Sequence, residues 1–267
     1  MNDIFLSEIY IYPIKSLGGI KLSQSEFNER GLKFDRRLML IDENNKFITQ
    51  RELPKMSLIS TEINKDNLIC RSSGFPDLEF PLEIEKNEGV NVNVWRSYCQ
   101  SFVYNNQVNN WFSEFLNKKV KLVYMPDSTK REVNPDYSIN DNIVSFADGY
   151  PILMIGQESL NDLNSRLEKK IGMDRFRPNL VISGSHAFTE DEYKTVNICE
   201  NKFFIVKPCE RCVMTTIDQS KGISDGKEPL KTLAEYRKID NKIIFGQNLI
   251  ADNQSGSLRI NDQVRFY

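Results

Sequence analysis

Lys207-Pro208-Cys209-Glu210-Arg211-Cys212-Val213-Met214-Thr215-Thr216-Ile217-Asp218 sets two thiols three residues apart, with a guanidinium between them. A thiolate is the side chain of this chain best suited to a soft metal centre. Arg211 adds a planar fork of donors that can hold an anionic ligand. Other chemistries also use a Cys-x-x-Cys pair. Thioredoxin-type exchange places it on a strand-to-helix turn, where the helix N-terminus favours the thiolate. Here the residues that follow, Val213 to Ile217, are β-branched and poor in helix formers. A structural zinc site needs four ligands. The remaining cysteines, Cys70, Cys99 and Cys199, stand singly, and His186 is the only histidine. Two buried cysteines with no chemistry are the plain alternative, because free Cys is a common core residue.

The elements around the pair must position it. Strand-like residues lie on both sides, 203–206 before and 213–217 after, and predict a strand–loop–strand crossing. Short apolar or alternating runs at 5–14, 38–42, 58–63, 78–84 and 90–95 predict strands. Three helices are predicted. Over 108–116, Trp111/Phe115 and Phe112/Leu116 are i,i+4 pairs; over 159–170, Leu160, Leu163 and Leu167 form one stripe; over 230–237, Pro229 suits a first-turn position. These stripes are core residues. The fold class is α+β, mainly antiparallel and barrel-like. A polar stretch, 125–137 with its continuation 138–141, reads as a surface linker or as a loop bordering a substrate mouth. In the second case Arg131 is a ligand contact.

Composition sets bounds. The 267 residues suit one large domain or two modest ones, and 40% hydrophobic residues can build a sizeable core. A net charge of −2 gives no basic field for nucleic acid. No apolar run reaches membrane-spanning length, and the start of the chain lacks a basic leader. Five cysteines without a small-domain framework suit a reducing cytoplasm. Neither iron–sulfur spacing nor a Gly-x-Gly-x-x-Gly fingerprint occurs.

Lys-Pro-Cys-x-Arg-Cys-x-x-Thr-Thr-x-Asp resembles the cofactor loop of the MOSC family, and more closely its branch of bacterial YcbX-type proteins and mitochondrial amidoxime reducing components. Other motifs follow in the family's order: Tyr12-Pro13-Ile14-Lys15-Ser16, Gly31-Leu32 with Asp35-Arg36, Phe176-Arg177-Pro178-Asn179 and Phe245-Gly246-Gln247-Asn248. The resemblance spans nearly the whole chain. It implies a mainly antiparallel β-barrel MOSC domain with an N-terminal β-rich sub-domain. The first region would cover 1–122, with the sub-domain at about 36–122, and the cofactor-bearing region 123–267.

The resemblance further implies a molybdenum–molybdopterin cofactor. Cys212 would be the metal ligand; Cys209 matches the cysteine that the family does not use. Lys15, Ser16, Arg36, Arg177, Asn179, Arg211 and Asn248 would be cofactor-binding, and Asp148 would join Cys212 as catalytic. The family has also been linked to pyridoxal phosphate binding. Two departures bear on substrate shape. Asn248 stands where the mitochondrial relatives have Tyr, and their Asp-Thr-Ser-Pro loop is Asp148-Gly149-Tyr150-Pro151 here. The implied function is detoxifying reduction of N-hydroxylated bases, amidoximes or hydroxylamines. Electrons would come from a separate flavin reductase, ferredoxin or cytochrome b5-like protein. The alternative is a cofactor carrier without turnover. Relatives with an N-terminal anchor or a C-terminal ferredoxin domain carry segments not expected in this cytoplasmic chain.

Overall fold

Alternation of apolar and polar residues drives most of this chain into strands. The computed structural model describes residues 3–85, 87–139 and 142–267. Met1 and Asn2, at the head of the expected N-terminal region, lie outside the described residues, as do Asn140 and Asp141 at the end of the polar stretch.

The larger sheet runs in the order Ile20–Leu22, Phe5–Ile11, Leu180–Ser183, Ile152–Gly156, Lys242–Ala251, Asn201–Glu210, Thr195–Ile198, Val264–Phe266. Its pairs are antiparallel except Ile152–Gly156 with Leu180–Ser183, which the helix Gln157–Arg166 helps to connect. A bridge between Phe5 and Gln263 and a bond from the Val264 N–H to the Ile4 carbonyl bring the last strand back to the first. The sheet thereby curls into a barrel. Leu6, Ile9, Met154, Leu180, Phe203 and Leu249 fill its interior.

Residues between the first strands and the rest of this barrel build a smaller body. It has a four-stranded sheet, Leu38–Ile41, Lys121–Tyr124, Ser97–Val103, Gly89–Val94, and a three-stranded one, Ser60–Asn64, Asn67–Arg71, Leu78–Pro81. The helix Asn106–Leu116 seals it. The Asn105 side chain accepts from the Val108 N–H to cap its start, and Asn117 ends it in the left-handed region. Its apolar face packs Trp111 and Phe112 against Phe80 and Tyr104. Burying Phe112 contributes about 1.5–3 kcal/mol.

Several boundaries differ from expectation for local reasons. The expected strand over 213–217 is a 3-10 turn, Val213–Thr216, followed by a short strand, Ile217–Asp218. The hydroxyls of Thr215 and Thr216 donate to the carbonyls of Cys212 and Val213, which competes with sheet pairing. The second helix stops at Arg166 instead of 170, because the Asn164 side chain bonds both the N–H and the carbonyl of Ile171 and turns the chain. The first strand stops at Ile11, because the Tyr12 N–H is taken by Asp35 Oδ1 at 2.8 Å.

One contact joins the two bodies where it matters for the site. Gln50 is fully buried, and its side-chain amide exchanges two hydrogen bonds with that of Gln219, at 3.1 and 3.0 Å. It also donates to the Ser16 carbonyl at 2.8 Å. The segment carrying Arg51 is thereby pinned beside the cysteine loop.

Candidate functional site

The barrel and the smaller body enclose a cavity of about 350 Å³. Lys15, Ser16, Arg36, Asp148, Arg177, Asn179, Arg211, Cys212 and Asn248 all line it. Residues spread over most of the sequence thus meet at one place. Three of them, Ser16, Arg36 and Arg177, hold left-handed backbone, at φ 69°, 50° and 54°. Such conformations are costly for residues with a Cβ and gather at functional sites.

Tyr12 organises two of the cations. Its ring is 4% exposed and lies 4.5 Å from the Arg36 guanidinium carbon and 4.1 Å from that of Arg177. Burial pushes its phenol up to about 12 despite both charges. Arg36 bonds Asp35 at 2.6 Å, Asn179 Oδ1 at 3.3 Å and the Arg177 carbonyl at 3.2 Å. Burial disfavours its charge, but Asp35 and Tyr12 outweigh burial and leave the guanidinium more basic than usual. Arg177 has no such carboxylate partner. Burial brings it down to about 10, and among the described residues its Nη2 has no hydrogen-bond partner.

Arg211 lines the cavity but gives its bonds to the backbone. Nε and Nη2 donate to the Phe245 carbonyl at 2.8 and 2.6 Å, and Nη1 donates to that of Phe176 at 3.0 Å. Its charge faces the cavity, while its fork braces two loops. Asn179 is similarly a frame: it accepts from the Leu153 N–H and donates to the Tyr10 carbonyl. Asn248 donates to the Lys207 carbonyl at 3.0 Å.

Lys15 and Asp148 form the opposing wall. Lys15 Nζ donates to Asp148 Oδ1 at 2.5 Å and to the Phe146 carbonyl at 2.8 Å. Burial pulls the Lys15 ammonium down, against the pull of Asp148. Burial would raise Asp148, but the charge and hydrogen bond of Lys15, with Arg51 and the Trp95 indole, hold it well below the usual carboxylate range. Its side chain is nevertheless 60% exposed toward the cavity.

Arg51 carries no spacing signal in the sequence and was not anticipated. Its Nε–H donates to Cys212 Sγ at 3.3 Å, its Nη2 lies 3.8 Å from Asp148 Oδ2, and its guanidinium sits 4.9 Å from the Trp95 ring centre. Tyr12 and Arg175 also belong to the site. Both stand inside quoted or adjoining motif segments, so position beside Lys15 and Arg177 was the signal available. Arg131 stands apart from the cysteines. It is buried and donates to the carbonyls of Ser145, Ala147 and Asp148 at 2.8, 2.6 and 3.0 Å. It holds up the loop bearing Asp148; it does not line the cavity with Cys212, but with the rest of 130–135 it borders a wider depression beside that cavity.

Charge and donor set define what fits. Lys15, Arg36, Arg51, Arg175, Arg177 and Arg211 face Asp148 and Glu210. This balance favours an anion. Among the described residues no three His, Cys, Asp or Glu side chains gather as a metal cage. A metal that needs several protein ligands does not fit; one that arrives on an anionic organic ligand and takes a single thiolate does. Cys209 shares the cavity, and burial pushes its thiol up.

The Lys15–Asp148 pair has a testable pH signature. A carboxyl depressed in the native state stabilises above its unfolded value, about 3.9, and loses that contribution as pH falls through its native value. Asp148→Asn is expected to destabilise the protein by about 1 kcal/mol at neutral pH, discounted for exposure of the carboxylate. Melting temperatures of both proteins should converge as pH drops below about 4. A difference independent of pH down to strong acid would exclude the pair as its origin.

Residues 4–119 match the MOSC N-terminal beta barrel domain, and 141–265 match the MOSC domain. The chain is 32% identical to rat mitochondrial amidoxime reducing component 2 and 34% to mouse mitochondrial amidoxime-reducing component 1. Each match covers 97% of this chain, and 82% and 81% of the relative. It is also 33% identical to molybdenum cofactor sulfurase of Arabidopsis thaliana, over 91% of this chain but 32% of that protein.

Proposed function

The chain belongs to the MOSC family, and from that premise we propose that it is a molybdenum-cofactor-dependent reductase of N-hydroxylated compounds. The observation that carries this reading is Cys212. It is a thiol donor in a cavity where six cationic side chains outnumber two carboxylates, held by an N–H from Arg51. The names of the amidoxime reducing components supply the substrate class.

Lys15, Arg36 and Arg177 would hold the phosphate of the cofactor, and Cys212 would supply its protein thiolate. When bound, the cofactor supplies a two-electron redox centre. The conversion breaks the N–O bond of the substrate, consumes two electrons and two protons, and releases water. Asp148, held ionised at neutral pH, is a poor acid there. Its role is to accept an N–H from the amidine part of the substrate and orient it. Tyr12 and Arg211 keep the cationic walls in place before any ligand binds. Electrons come from a separate redox protein of the flavin, ferredoxin or cytochrome b5 type.

Protein from a host that makes the cofactor is expected to contain about one molybdenum and one pterin per chain. It should reduce an amidoxime with reduced viologen and not with NADPH alone. Stoichiometric molybdenum without viologen-driven turnover would establish a carrier, and absence of both molybdenum and pterin would overturn the cofactor assignment.

A further inference from the structure

A second, wider depression of about 1000 Å³ opens beside the first. The two share Asp148, Gly149, Tyr150, Cys209, Glu210 and Asn248, so one runs into the other. Its outer wall comes from the hairpin between Gly89–Val94 and Ser97–Val103 of the smaller body. That hairpin presents Trp95, 45% exposed, and Tyr98, 80% exposed. Tyr150 and residues 130–135 of the polar stretch line it as well.

Trp95 is held in a costly position. Its φ is 57°, a region that bulky side chains rarely occupy. Three separate elements fix the indole there. The Phe47 ring packs at 5.1 Å, the Arg51 guanidinium at 4.9 Å, and the indole N–H donates to Asp148 at 3.3 Å. Backbone strain of this kind persists only where the surroundings impose it, and it gathers at ligand sites. The part of the indole left uncovered borders the second depression.

We infer that this depression receives the body of the substrate, and that Trp95 and Tyr98 select a flat aromatic or heteroaromatic body over an aliphatic one. The inference rests on the reductase reading for the identity of the reacting group. The inner cavity takes the cofactor and the N-hydroxyl end; the outer trough takes what that end is attached to. Exposed rings offer a face to any planar π-system, and such stacking is worth about ten-fold or more in binding. A saturated ring of equal size fills the same space without it.

Trp95 and Trp111 are the two tryptophans of the chain. Trp111 is 7% exposed and donates to the Pro76 carbonyl, so ligand quenching of emission reports Trp95. As-purified protein is titrated with benzamidoxime, cyclohexanecarboxamidoxime and acetamidoxime. Saturable quenching is expected with benzamidoxime at about ten-fold lower concentration than with the cyclohexyl compound. In molybdenum-loaded protein driven by reduced viologen, Tyr98→Ala and Trp95→Leu should raise KM for benzamidoxime about ten-fold more than KM for acetamidoxime. Tyr98→Ala guards against misfolding, since Tyr98 is almost wholly exposed. Equal KM for the aryl and cyclohexyl substrates, with no quenching, would overturn the trough. Quenching with the flat compound but no turnover of any amidoxime would overturn the reductase reading and leave the trough standing.

Discussion

Cys212→Ser is expected to abolish molybdenum-dependent turnover, to below about a hundredth of the native rate, while the melting temperature stays within about two degrees. A neutral hydroxyl is a poor replacement for a thiolate ligand, and even loss of a group that only supports a metal ligand costs about 10–100-fold. The fold should tolerate the change. Cys212 is part-exposed at the start of a 3-10 turn, and its side chain accepts the Arg51 Nε–H. Cys209→Ser should be milder. Cys209 lies within the strand Asn201–Glu210, and its thiol makes only a weak 3.9 Å contact with the Glu210 carbonyl. Metal analysis and viologen-driven rates on both variants decide it. Equal loss of metal and rate in the two would replace a single-thiolate site with a shared one.

Arg177→Met should move stability and cofactor retention in opposite directions. The native guanidinium is buried, is pulled down to about 10, and has no partner for Nη2 among the described residues. The Tyr12 ring faces this charge but no carboxylate pairs with it, and replacing a buried charge without an ion partner by an apolar side chain of similar length is neutral or stabilising. Met keeps a Cβ, so the left-handed backbone costs the same in both proteins. A charge-assisted bond to a phosphate is worth roughly 1.5–3 kcal/mol. Retention of the pterin during gel filtration should therefore fall about ten-fold or more, while the cofactor-free melting temperature holds or rises. A fall in both would mean that Arg177 serves the fold and not an anion.

The meeting of Lys15, Arg36, Arg177 and Cys212 was legible because each sits in a short motif whose order matched a known pattern. The strand-rich core was legible from alternation, as in Phe5–Ile11 and Gly89–Val94. Arg51 was not legible. Its role depends on the Gln50–Gln219 amide pair, a contact between bodies that no local spacing announces. Arg131 was legible in part, because the polar stretch does border the wider depression at 130–135. What the sequence did not show is that both terminal nitrogens of Arg131 are already given to the carbonyls of Ser145, Ala147 and Asp148. The turn at Val213–Thr216 escaped because β-branched threonines favour strands by propensity, while their hydroxyls bond the backbone here.

The barrel closes late during synthesis. Phe5 pairs with Ser183, and the bridge from Phe5 to Gln263 needs the end of the chain. At roughly 5–20 residues per second, the first strand leaves the ribosome on the order of ten to forty seconds before its second antiparallel partner, Leu180–Ser183, exists. The smaller body has all its strands by Tyr124 and can fold during that wait. Throughout it, Phe5–Ile11 can pair only with the short strand Ile20–Leu22, and its other edge stands open, the kind of segment on which chaperones act and aggregates start. Slower translation of the middle third should therefore lower soluble yield more than slower translation of the last few codons.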